Sequence, residues 1–291
     1  MINSIQIDDK EFVIIGKLIK KIRLNDEWIA DIENPDSIIK KLQAEMHRPD
    51  IFTFMQRLPE TTPKYNYYIE WENIAAIPLN GFDYWWGKKI SSDSRNKVRK
   101  APKRGVDVRV AKFNDELVKG IMNIFNEMPI KRGKSFRHYG KDFDTVKKEL
   151  ADALDSSEFI GAYYQNELIG FIKLNYTDRY AMITMILSLM KHFNKFPNNA
   201  LIAKAVEICA ERKVPYITYT TWRSGTHGDF QRLNGFEKFP VPRYYVPLTL
   251  RGKIILKLKL HHGIKGMLPE WVIGRLLDLR TKWYERKLVG K

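Results

Sequence analysis

Between residues 158 and 189 three apolar stretches follow one another, interrupted only by two three-residue polar breaks, Gln165-Asn166-Glu167 and Thr177-Asp178-Arg179. Breaks this short let consecutive strands pair only antiparallel with their immediate neighbours, so 158–164, 168–176 and 180–189 read as a meander. The pattern then changes period: 199–212 is a helix, 216–221 a strand, 228–233 a helical turn, and a last strand lies around 243–248. The apolar run Ala181 to Met190 is far shorter than the roughly 20 residues of a membrane helix, which makes it a core strand.

Upstream, Ser91, Ser92 and Ser94 can cap a helix that carries Arg95, Lys97, Arg99, Lys100, Lys103 and Arg104, and Gly105 offers a left-handed stop before a strand at 106–110. Asn114-Asp115 caps a second helix, reaching about Met128, and the polar loop 131–140 leads to a third at about 142–154. Earlier still, Pro35-Asp36 opens a helical pattern that stops before Pro49, followed by strands at 51–54 and 65–71. These patterns divide the chain into an N-terminal α/β unit, 1–94, a central α/β domain, 95–249, and a basic amphipathic tail, 250–291, with a helix from Pro269 to Lys287.

Charge narrows the partners. Fifty Lys and Arg stand against 34 acidic residues, a formal net charge of +16. Such a field attracts phosphate on a nucleic acid, a nucleotide cofactor or a lipid surface, and also simply maintains solubility. The single cysteine, Cys209, excludes an internal disulfide and reads as a buried, inert thiol on a helix face. Met1-Ile2-Asn3-Ser4 has no signal-peptide pattern, and a cytoplasmic location is expected. The six histidines show no metal-binding spacing, so no metal is expected.

The order helix, helix, three-strand meander, helix, strand, helix, strand from 106 to 248 resembles the core of the GNAT acyltransferases. Leading into it, Arg95-Asn96-Lys97-Val98-Arg99-Lys100-Ala101-Pro102-Lys103-Arg104-Gly105-Val106 is similar to the Arg-rich entry segment of the Fem-like aminoacyltransferase branch. Glu167-Leu168-Ile169-Gly170-Phe171 and Asn234-Gly235-Phe236-Glu237 resemble two further elements of the fold. The resemblance covers 95–248, about half the chain. It implies a GNAT-like mixed central sheet with flanking helices, and the N-terminal unit would be a degenerate half of the paired domains of Fem-type enzymes. The activity implied is transfer of an acyl or aminoacyl group from acyl-CoA or aminoacyl-tRNA to an amine, by direct attack in a ternary complex.

In that family the donor's pyrophosphate lies on a glycine-rich loop opening the central helix, where backbone N–H groups and the helix dipole hold an anion. This sequence has Lys191-His192-Phe193-Asn194-Lys195-Phe196-Pro197-Asn198-Asn199 there, without the glycines. Lys191, His192 and Lys195 supply charge, and Asn198 or Asn199 can cap the helix; these five are the candidate donor-binding residues, with a plain N-cap role for Asn198 as the alternative to ligand contact. Acyl-CoA and aminoacyl-tRNA both stay open as donor, the latter through the basic helix from Arg95 to Arg104.

An attacking amine must be neutral, which calls for a carboxylate or imidazole near the acceptor. Glu127 and His138 are the candidates, with Arg132, Arg137, Tyr139 and Trp222 as acceptor-binding residues. Tyr219 matches the family's position for a proton donor to the leaving group; a buried core tyrosine with its hydroxyl satisfied is the plainer reading of the residue. The acceptor is a peptide amine, a sugar amine or a small-molecule amine. A non-catalytic protein that binds nucleic acid or a membrane surface is the alternative. Residues 251–287 suit peripheral membrane contact, RNA contact, or packing of the tail on its own domain.

Overall fold

A computed structural model describes residues 4–45, 48–131, 134–262 and Arg275. The chain opens with β1 (Ser4–Ile7), β2 (Lys10–Ile15), β3 (Lys21–Leu24), α1 (Pro35–Ala44), β4 (Ile51–Met55) and β5 (Tyr68–Pro78). A short α2 (Phe82–Tyr84) runs on as a π-turn over Trp85–Lys89 and leads to α3 (Ser92–Lys103), β6 (Asp107–Ala111) and α4 (Asp115–Phe125). A two-stranded ribbon, β7 (Ile130–Lys131) and β8 (Lys134–Ser135), precedes α5 (Phe143–Leu150). The meander follows as β9 (Ser157–Tyr164), β10 (Glu167–Tyr176) and β11 (Ala181–Ser188). After it come α6 (Pro197–Glu211), β12 (Tyr216–Thr221), α7 (Gly225–Leu233), β13 (Glu237–Pro247) and α8 (Leu250–Lys257).

The described residues divide into two compact units, 4–73 with 240–262, and 74–239. The sequence patterns set boundaries at 94/95 and 249/250; the compact units instead divide inside β5 and inside β13. The cause is the second half of β13, where Arg243–Pro247 pair with Ile51–Met55 of β4 and so complete the sheet of the first unit, β1-β2-β3-β4-β13. That sheet and α1 enclose Phe12, Ile22, Leu42, Phe52, Phe54 and Tyr244. Of the expected tail helix from Pro269 to Lys287, Arg275 alone is among the described residues, and the rest lies outside them.

The second unit holds the chemistry-bearing segments. Its sheet runs β5-β12-β11-β10-β9-β6, antiparallel throughout except where β11 and β12 run parallel. The turn at Gln165-Asn166 is tight because both residues adopt positive φ, +50° and +64°, as short hairpin loops require. α4 is capped by Asn114, whose side chain accepts from Leu117 N, with Asp115 and Glu116 at the positive end of the helix dipole. α6 is apolar around most of its circumference and fully buried at Leu201, Ile202, Ala205, Val206 and Cys209, as a central helix must be. Burial pushes the Cys209 thiol up to about 12, which makes it an inert packing residue. The mixed α/β fold, with its order of helices around a central sheet, is the one the sequence implied.

Candidate functional site

β11 creates the opening. Its parallel pairing with β12 covers only Ala181↔Ile217 and Met182↔Thr218, so the two strands part beyond their first residues. On its other edge β11 pairs with β10, but the register shifts: Lys173 faces Met185 and Leu174 faces Ile183, leaving Thr184 as the extra residue of a β-bulge. Thr184 Oγ1 lies 3.1 Å from both the Lys173 carbonyl and Asn175 Oδ1, which pins the bulge. A bulge re-aims the side chains beside it and interrupts pairing. Here Thr184, Met185 and Leu187 form one wall of a cavity of about 380 Å³, whose other wall is Ser135-Phe136-Arg137-His138 from the loop between β8 and α5.

His138 is 6% exposed, its ring stacked on Phe125 at 4.5 Å between centroids. Arg137 Nε donates to His138 Nε2 at 2.8 Å. An imidazole nitrogen that accepts from a guanidinium carries a lone pair, so the ring is neutral with its proton on Nδ1, which lies 3.5 Å from Glu149 Oε2. Burial, and then the Arg137 and Lys141 charges, hold its pKa below the usual histidine value, against an opposing pull from Glu149. This is a neutral base at physiological pH, with its lone pair covered by one exposed arginine side chain. Of the acceptor-side residues expected from sequence, Arg137 and His138 line the cavity; Tyr139 is exposed beside them, and Arg132 lies outside the described residues.

The loop beyond β11 is organised differently. Glu127, two residues past the end of α4, accepts from Met190 N at 2.8 Å and from Lys191 N at 3.1 Å, so a carboxylate of the chain already sits on those amides. Lys191 pairs with Glu167 at 2.8 Å, and His192 Nε2 lies 3.6 Å from the same carboxylate. Lys195 stands over the Tyr164 ring at 3.9 Å, a cation–π contact. The expectation that Asn198 or Asn199 caps α6 is corrected: the helix starts at Pro197, two residues before the expected 199, its N-cap is Phe196 with φ +62°, and no side chain caps it. Proline favours the first helical position because it lacks the N–H that would go unpaired there, which moves both asparagines inside the first turn. Asn199 Nδ2 donates to Asn234 Oδ1 at 3.0 Å, joining α6 to the Asn-Gly-Phe segment.

α3 presents the basic face. Ser91 caps it and accepts from Ser94 N. Arg95 reaches back to the Gly87 and Ile90 carbonyls, and Lys97 pairs with Asp93 at 2.6 Å. Arg99, Lys100, Lys103 and Arg104 are exposed. The Trp86 ring lies 5.5 Å from the Arg99 guanidinium and 5.9 Å from that of Arg95, while Arg104 covers Phe196 at 4.7 Å and donates to the Asn194 carbonyl. Aromatic rings interleaved with cations are the combination that stacks on bases while pairing phosphates.

Tyr219, on β12, packs against His227, Phe230 and Phe236, with ring centroids 5.2 to 6.5 Å away. Trp222 lies against the core of the same unit. No sequence spacing points to the group Glu70, His261 and His262, in the first unit. His261 Nε2 and His262 Nε2 lie 2.8 and 2.6 Å from the two carboxylate oxygens, and the three ligand-type atoms are within 4.8 Å of one another. Positions 191 residues apart cannot be joined by a spacing rule. Burial raises the Glu70 carboxyl, but the two imidazoles outweigh it and hold the pKa below the usual range. Thr184 and Glu167 were also missed, one because a bulge is invisible in an apolar strand, the other because it reads as a turn residue.

No family model matches the sequence, and no curated protein matches it. Solved structures do. The C-terminal domain of a putative lysylphosphatidylglycerol synthetase from Agrobacterium fabrum aligns over 86% of this chain and 85% of its own, with a TM-score of 0.57 and 12% identity. FemX aligns over 87% and 88%, with a TM-score of 0.55 and 10% identity. L-PGS from Bacillus licheniformis aligns over 86% and 85%, with a TM-score of 0.52 and 13% identity. The chain therefore shares the fold of these proteins, which is the fold its sequence motifs implied.

Proposed function

We propose that the protein transfers an aminoacyl group from aminoacyl-tRNA to an amine, with His138 as the base that frees the attacking nitrogen. The observation that carries this reading is the neutral, buried His138 facing the Thr184 bulge across a cavity walled by β11 and the loop before α5. Arg137 must swing off Nε2 for the lone pair to take a proton. In the reaction the amine nitrogen attacks the ester carbonyl, the C–N bond forms, the C–O bond to the ribose breaks, and one ammonium proton passes to His138. Tyr219 is assigned as proton donor to the leaving oxygen. Glu127 holds the loop at Met190 and Lys191 and takes no proton.

The choice of donor rests on where anions can sit. The amides of Met190 and Lys191 are filled by Glu127, and Lys191 and His192 face Glu167, whereas α3 keeps Arg99, Lys100 and Lys103 exposed beside Trp86. A tRNA donor places the reaction in the cytoplasm. Acyl-CoA is the second reading, favoured by one feature: α6 begins without a side-chain cap, and an uncapped helix start attracts phosphate.

The test is transfer of a labelled aminoacyl group from charged tRNA to a panel of peptide, amino-sugar and small amines, together with tRNA affinity measured across salt. Transfer is expected, with log K falling linearly in log salt and R99E/K100E/K103E flattening that slope by about one for each phosphate left unpaired. Thermal stabilisation by acetyl-CoA, combined with salt-independent or undetectable tRNA binding, would move the donor to the second reading. No transfer from either donor to any amine, with H138A leaving function untouched, would sink the enzymatic reading and leave a binding protein.

A further inference from the structure

α8 has an apolar stripe on its outer side. Ile255 and Leu256 face inward onto Ile51 and Tyr245, with Ile19 packed beside them. Leu250, Ile254 and Leu258, spaced at i, i+4 and i+8, are 78%, 60% and 59% exposed. The tip between β2 and β3 lies next to the start of this helix, because the Arg251 guanidinium donates to the Leu18 carbonyl at 2.6 Å, and Leu18 is itself 77% exposed. Four large aliphatic side chains thus crowd one face of the first unit.

Cations frame them. Lys17, Lys20, Arg251, Lys253, Lys257 and Lys259 are all exposed, and residues 250–262 contain no acidic residue. Asp50, beside Arg251, is buried and accepts from Lys20 N, with Arg251 Nε 3.9 Å away. An exposed helix of this kind, apolar along one line and basic along both flanks, has the chemistry of an interfacial helix. Its aliphatic side chains enter the acyl boundary while lysines meet anionic headgroups.

We infer that this face, α8 with the β2–β3 tip, docks the protein on an anionic phospholipid bilayer. Charge complementarity selects that occupant over the chain's own C-terminal segment. Residues 263–291 carry seven Lys and Arg against three acidic residues, so they repel the lysines that border the stripe. The inference is independent of the donor and of the transfer reaction, since it rests on the first unit alone. The proposed association is peripheral, with α8 lying in the interface; no helix among the described residues is long and apolar enough to cross a membrane.

The experiment is sedimentation of the full chain with vesicles of phosphatidylcholine alone and of phosphatidylcholine with a quarter phosphatidylglycerol. Two variants accompany the wild type, L250S/I254S/L258S and K253E/K257E/K259E. All six positions are exposed, and unchanged melting temperatures confirm that both variants fold. Binding to the anionic vesicles is expected, weakening with salt and nearly absent on the neutral ones. The lysine variant should lose about fivefold or more per charge, and the apolar variant should lose at least about tenfold. A fluorophore at I254C, read against the buried Cys209, should shift to the blue on binding. Three results overturn the proposal: no sedimentation of the wild type at low salt; an apolar variant that binds as the wild type does, which would mean a polyanion surface of any kind suffices; or a probe at 254 that stays in water.

Discussion

Two segments look alike in sequence, the loop 189–196 after β11 and 131–140, which walls the cavity at Thr184: both cluster cations, a histidine and polar residues. Folded, they are opposites. In the loop, the cations and amides meet carboxylates of the chain itself, Glu167 from 24 residues away and Glu127 from 63. At the cavity the carboxylate beside His138, Glu149, lies 3.5 Å away and is itself paired with Lys141, so burial first, and then the charges of Arg137 and Lys141, keep the imidazole neutral. In one segment carboxylates of the chain answer the amides and Lys191; the other keeps a neutral imidazole whose lone pair is held by an arginine. Charge composition thus finds places where chemistry can occur, and only the arrival of counter-charges decides where it does.

The largest effect expected from breaking this contrast is at His138. H138Q should lower kcat by about 10²- to 10⁴-fold, the usual worth of a general base, and leave KM nearly unchanged; a wild-type rate would show that the cavity's neutrality has no catalytic use. Next comes Arg137. R137A removes both the donor on Nε2 and one of the charges that depress the imidazole, so the His138 pKa should rise toward the ordinary histidine value. The acid limb of the pH–rate profile then moves to higher pH. The same depressed pKa bears on stability. A histidine held below its unfolded value contributes stability that is complete above that value and is lost as the pH falls toward the folded one. Wild type should therefore melt earlier on acidification below about pH 6.5, and R137A should soften that dependence. An unmoved pH limb in R137A would show that burial alone sets the histidine.

Most of the fold was legible because its elements announce themselves locally. The meander has strict short breaks, α3 has Ser91 before it and Gly105, at φ +79°, after it, and α4 has Asn114 as cap. The start of α6 was misread because asparagine is a frequent cap, while the deciding signal was Pro197, whose missing N–H and fixed φ suit the first helical position. The domain division was hidden because β13 serves the first unit with residues 240–247, and no local pattern records that Arg243–Pro247 will pair with Ile51–Met55. Of the site, His138 and Arg137 could be picked out by residue type. The Thr184 bulge could not, since Ala181–Ser188 reads as an uninterrupted strand. Glu70 with His261 and His262 was illegible for the same reason as β13.

The smallest effect sharpens the other half of the comparison. Glu127 makes two charge-assisted hydrogen bonds to loop amides at the surface, and such bonds contribute about 1–3 kcal/mol when buried and less when solvated. E127Q keeps the shape but halves the acceptor character, so a loss of roughly 0.5–1.5 kcal/mol in unfolding free energy is expected from the same source. The informative readout is what the vacated amides then do. If the loop is an anion site occupied by the chain's own carboxylate, E127Q should gain affinity for inorganic phosphate or acetyl-CoA, detected as thermal stabilisation that the wild type lacks. If neither ligand binds the variant, the loop is a structural knot rather than a blocked donor site, and the donor depends wholly on α3. Because Glu127 touches neither His138 nor the cavity wall, transfer measured with a saturating tRNA donor should fall by less than about threefold in E127Q. A loss as large as that of H138Q would place Glu127 back among the groups that move the proton.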